Sequence, residues 1–168
     1  MAKIGFIISL YLCLFLKSYC DCKWIENLSE AQEFHRNNSK LIFIGEVVEL
    51  NDDNTFKLKI VETFKGTEYD FLIGNVTSSC SIKPSEIGIK WLCYVDEPDS
   101  NGFISLLDCG LTRSFKEPSL MLKGSVAPPP LKTNSELELK IISTEYYLKN
   151  LRILNDEIEQ LRKLNLKK

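Results

Sequence analysis

The chain has 168 residues, 44% hydrophobic and 26% charged, with 8 Gly and 6 Pro, which excludes collagen-like, low-complexity and wholly disordered chains. Its 21 basic and 23 acidic residues leave a net charge of −2, too little positive charge for a broad grip on nucleic acid, so no nucleic-acid partner is expected. The single histidine, His35, leaves no room for most catalytic triads or His-rich metal sites, and six cysteines are the unusual excess.

Residues 1–19 read as a signal peptide: Lys3 gives the basic start, and Ile4 to Leu16 is apolar apart from Gly5, Ser9 and Tyr11. As a helix that run spans about 20 Å, short of a hydrocarbon core of about 30 Å, so the mature chain has no transmembrane segment. The expected location is secreted, extracellular or at the cell envelope. Lipid anchoring at Cys20 is the weaker alternative, because Lys17-Ser18-Tyr19 approaches it poorly. Cys13 leaves with the signal, and Cys20, Cys22, Cys80, Cys93 and Cys109 remain. Outside the cytosol their default state is disulfide-bonded.

Ser29-Glu-Ala-Gln32 reads as a capping box opening a short helix that Asn37-Asn38 ends, with Ala31 and Phe34 facing inward and His35 an ordinary packed or solvated side chain. Strands follow. Leu41 to Leu50 is β-rich with Gly45 as a bulge or bend, Asn51 to Asn54 is a turn cluster, and Thr55 to Phe64 alternates as a half-buried strand. Lys65-Gly66 turns the chain into a third strand, Tyr69 to Val76. Lys90 to Val95 is nearly all apolar, hence buried on both faces, and Asp99-Ser-Asn-Gly102 signals a hairpin into Phe103 to Leu107. Five short strands with polar turns predict a mainly β fold closed into a small barrel.

Residues 115–134 hold Gly124 and Pro128-Pro-Pro130 and read as a linker. Residues 135–168 read as one amphipathic helix opened by a second capping box, Ser135-x-x-Glu138. Tyr147, Leu151, Leu154, Ile158 and Leu161 follow 4-3-4-3 spacing, a seam of coiled-coil type. That seam serves either docking onto the barrel or a homo-oligomer.

A C-x-C pair does not easily close on itself, so Cys20 and Cys22 each reach a distant cysteine. Cys80 follows the third strand and Cys109 the fifth, which lets two bridges pin the N-terminal segment across one end of the barrel. Each bridge would contribute a few kcal/mol by closing loops of about 60 and about 90 residues. Cys93, in mid-strand, is left over as a buried free thiol.

Cys20-Asp21-Cys22, the strand Ile42-Phe43-Ile44-Gly45-Glu46-Val47, Phe64-Lys65-Gly66, Cys80, Gly88-Ile-Lys-Trp-Leu92 and Cys109 together resemble the netrin-like domain. The likeness is nearest to tissue inhibitors of metalloproteinases and their bacterial TIMP-like relatives, and it covers residues 20–114. The resemblance implies a five-stranded OB-type Greek-key barrel with bridges Cys20–Cys80 and Cys22–Cys109. It also implies an inhibitory edge, Cys20, Asp21 and Cys22. In that family the α-amine and carbonyl of the first cysteine chelate the protease zinc, and the next side chain enters the specificity pocket. The partner it implies is a zinc metalloprotease, with no metal of the protein's own. Three differences stand beside it: a carboxylate at Asp21, no further cysteine from Lys23 to Leu41, and a linker and helix in place of a second disulfide-rich domain.

No G-x-S-x-G, H-E-x-x-H, Walker loop or Rossmann fingerprint is present, so neither an enzyme nor a cofactor is expected. The expected function is a secreted, disulfide-stabilised binding module of the metalloprotease-inhibitor type. The alternative is a non-inhibitory surface or structural protein that oligomerises through its C-terminal helix.

Overall fold

The computed structural model describes residues 27–120 and 135–164. The signal peptide, Cys20-Asp21-Cys22 and Pro128-Pro-Pro130 lie outside them. Helix α1 (Leu28–Asn38) is followed by strands β1 (Leu41–Leu50), β2 (Thr55–Lys65), β3 (Phe71–Asn75), β4 (Lys90–Val95), β5 (Phe103–Ile104) and β6 (Arg113–Ser114), and then by helix α2 (Glu136–Leu164). The architecture is mixed α/β: one six-stranded sheet, a short helix and a long C-terminal helix.

The sheet order is β5-β3-β2-β1-β4-β6, with β3 and β5 parallel and the other neighbours antiparallel. Its two edges, β5 and β6, share no ladder, so the sheet is open where closure was expected. The Asp99–Gly102 turn forms: Asp99 Oδ1 accepts from the amides of Asn101 (2.8 Å) and Phe103 (3.0 Å). It does not make a β4–β5 hairpin, because β4 is already paired to β1 on one side and β6 on the other. Phe103 and Ile104 instead join β3.

The first half of β1 is buried on both faces, which explains the apolar run Leu41-Ile-Phe-Ile44. Ile42 and Ile44 meet Ala31 of α1, Phe64, Leu92 and Tyr94, Leu111, and Leu154, Ile158 and Leu161 of α2. Leu41, Phe43 and Val47 face the opposite way, onto Phe56, Leu58, Leu72, Cys93, Val95, Ile104 and Leu106. Register shifts at Ile42/Phe43, Ile44/Gly45 and Val47/Glu49 are bulges that sharpen the local twist and wrap the sheet over this second core. Gly74 is required there, since a Cβ on it would stand 2.0 Å from the Phe56 ring.

α1 starts two residues earlier than the capping box implied: Asn27 is the N-cap, its Oδ1 accepting from Glu30 N at 2.8 Å. At its other end Lys65 Nζ donates to Arg36 O at 2.6 Å, so β2 caps the helix carbonyls. α2 does take its cap from Ser135, whose Oγ accepts from Glu138 N at 3.4 Å. Its second half packs into the same core as the sheet, through Leu154, Ile158 and Leu161, as the docking alternative for the seam expects. No described helix is long and apolar enough to cross a membrane.

Candidate functional site

The cysteines come first, since the sequence assigns most of the chemistry to them. Ser81 and Leu107 form an isolated antiparallel bridge, and Asp108 N donates to Cys80 O at 2.9 Å. Cys80 and the neighbour of Cys109 are therefore bonded backbone to backbone, beyond the ends of β3 and β5. Both Cys80 and Cys109 are disulfide-bonded. The pairing with Cys20 and Cys22 involves residues outside the described ones. Cys93 is a free thiol at 0% exposure in β4. Burial pushes its pKa well above the ordinary thiol range, and among the described residues its Sγ has one long polar contact, to Trp91 O at 3.8 Å. A neutral, enclosed thiol of this kind is unreactive.

Beside Cys109 lies a cleft of about 340 Å³, lined by His35, Tyr94, Asp99, Cys109 and Thr112 among others. Helix α1 delivers His35 to it, edge-on to Phe34 at 5.3 Å and to Tyr94 at 6.2 Å between ring centroids. Gly110 lets the loop close on the imidazole, as a Cβ there would come within 3.0 Å of the His35 ring. Burial lowers the His35 pKa below 6.5, and the negative charge of Glu157 opposes that shift less strongly. His35 is therefore neutral at neutral pH.

Behind the cleft is a buried polar network that the sequence reading did not anticipate. Glu157 of α2 is 0% exposed, yet its Oε2 pairs with Arg113 Nη2 at 2.6 Å and its Oε1 accepts from Tyr94 Oη at 2.5 Å. Arg113 Nη1 donates to Leu111 O at 2.8 Å. Desolvation first, and then the Glu157 charge, raise the Tyr94 pKa, so the phenol stays a donor. Thr112 completes the β4–β6 join, its Oγ1 accepting from Tyr94 N at 2.9 Å. The readable signal was a glutamate among Leu154, Ile158 and Leu161, a charge on an otherwise apolar face. Such a network orients elements; with every carboxylate oxygen engaged, it has no free base to offer a substrate.

Among the described residues no three metal-ligating side chains converge. The structure thus brings together Cys80 and Cys109 from the sequence-predicted set, adds His35 close by, and keeps Cys93 apart inside the sheet. No family model matches the chain, and no curated protein matches it.

Proposed function

We propose that this is a secreted, disulfide-stabilised binding module that offers the edge Cys20-Asp21-Cys22 to the zinc of a metalloprotease. The observation that carries the reading is the meeting of two disulfide-bonded cysteines, Cys80 and the residue next to Asp108, at one point beyond the sheet. The α-carbons of a C-x-C pair lie at most about 7 Å apart, and each bridge adds a reach of about 7 Å or less. Two cysteines so spaced need receiving cysteines within about 20 Å of each other, and the Asp108–Cys80 backbone bond puts Cys80 and Cys109 well inside that limit. The strand connectivity agrees, because β1 shared between β2 and β4 with a parallel β3–β5 pair suits an OB-type barrel that is partly open.

In this reading the Cys20 α-amine and carbonyl oxygen act as a bidentate ligand that displaces the water on the protease zinc. The two bridges hold the edge in its bound shape, so little ordering entropy is lost on docking. Asp21 points its carboxylate into the specificity pocket, which costs desolvation energy where that pocket is apolar.

The test compares inhibition of a panel of zinc metalloproteases by the mature protein, by a form extended with one N-terminal Ala, and by Asp21→Ser. The mature form should inhibit, and more weakly as pH falls below the range of a free α-amine, about 7.7–8.0. The Ala-extended form should lose inhibition, and Asp21→Ser should gain it against apolar-pocket enzymes. Equal inhibition by the native and Ala-extended forms would rule out chelation.

A further inference from the structure

Helix α2 divides at Asn150. After it, Leu154, Glu157, Ile158 and Leu161 are buried on the sheet. Before it, residues 135–149 are all exposed except the half-buried Ile142, even though they include Leu137, Leu139, Ile141, Tyr146, Tyr147 and Leu148. That half projects about 22 Å at 1.5 Å per residue. A helix of this length is marginal in water unless an apolar face is packed against something. The sheet does not supply that packing.

The projecting half carries its own seam. Leu137, Ile141, Thr144, Leu148 and Leu151 follow 4-3-4-3 spacing, the d-a-d-a-d positions of a heptad. Thr144 suits its core position because its hydroxyl already donates to Lys140 O at 2.7 Å, leaving the methyl to pack. At 3.6 residues per turn this stripe lies roughly 120° around the helix from the face that rests on the sheet. A second helix can therefore lie along it without meeting the sheet. It is a different seam from the one running through Tyr147 and Leu151 to Leu161, whose last three members the sheet occupies.

We propose that this stripe pairs in parallel with the same stripe of a second copy of the chain, forming a short two-stranded coiled coil. The charges select the partner and its direction. With Leu137 at d, Lys140 falls at g and Glu145 at the following e, so a parallel pair sets Lys140 of each copy against Glu145 of the other. The next g–e pair is Tyr147 with Arg152, and no like charges meet. Antiparallel pairing sets Glu145 of one copy against Glu138 of the other, or against the other Glu145 with two Glu138–Arg152 contacts beside it, so only the parallel arrangement is free of a like-charge contact. The inference is independent of the protease reading: a monomeric inhibitor would overturn only this one, and a non-inhibitory dimer only the other.

The experiment is sedimentation velocity of the full mature chain across micromolar to millimolar concentrations. A concentration-dependent dimer is expected. Ile141→Glu and Leu148→Glu should each raise its dissociation constant at least tenfold. Lys140→Glu should weaken it several-fold, and adding Glu145→Lys to that variant should restore it. Tyr146→Glu, on the opposite side of the helix, should leave it unchanged. All these positions are exposed, so each variant can fold. A chain monomeric throughout, a dimer indifferent to Ile141→Glu and Leu148→Glu, or one abolished by Tyr146→Glu would overturn the proposal.

Discussion

His35 sits where α1, β4 and the Cys109–Thr112 loop meet, and its protonation reaches the fold through that position. Its folded pKa is depressed below 6.5 by burial. The folded state therefore binds the proton less readily than the unfolded chain. Stability from this residue is present above the unfolded value and is lost as pH falls through the folded one. Urea midpoints should accordingly drop between pH 7 and pH 5, and His35→Phe, which keeps ring contacts with Phe34 and Tyr94, should drop less over the same interval. Parallel pH profiles for the two proteins would show that His35 does not couple to folding. The sequence placed this histidine beside an apolar helix face, and it could go no further. The contact that matters is with Tyr94, fifty-nine positions away in the chain.

Among the described residues, one buried ion pair and one half-exposed pair join α2 to the sheet. Arg162 grips Glu62 of β2 through Nε (3.0 Å) and Nη2 (2.8 Å), a half-exposed contact worth no more than about 1 kcal/mol. The Arg113–Glu157 pair is different, with side chains 2% and 0% exposed. Breaking it from one side strands a buried charge, so Arg113→Met or Glu157→Leu alone should cost about 3–5 kcal/mol in chemical denaturation. The double variant should recover much of that loss, because neither charge is then left unpaired. Additive losses in the double variant would mean that the two side chains are not energetically coupled, and would contradict this account of the pair. The same elements show what was legible. β1 and β4 were readable to the residue, since the stretches buried on both faces, Leu41 to Ile44 and Leu92 to Val95, print short continuous apolar runs. β6 was not, since a two-residue strand held by the Thr112 side chain has no period to read. The Asp99–Gly102 turn was legible as a turn, but its partner strand depends on which edges remain free, which local residues do not encode.

For the whole molecule, one end of the sheet gathers the features that bear on function. Cys80 and Cys109 converge there from segments far apart in the chain, with the His35 cleft alongside. Spacing alone foretold distant partners for Cys20 and Cys22. It could not foretell that the two receiving segments would be hydrogen-bonded to each other, which is a product of the Ser81–Leu107 bridge. The open sheet also follows from long-range pairing: β5 is spent on β3, so no strand remains to close β4 against it.

The most direct measurement is a peptide map of the mature protein digested without reduction. Cys20 should be found linked to Cys80 and Cys22 to Cys109, with Cys93 recovered as a free thiol. A link between Cys80 and Cys109, or any bridge that includes Cys93, would leave the N-terminal edge untethered and contradict the arrangement on which the proposed function rests.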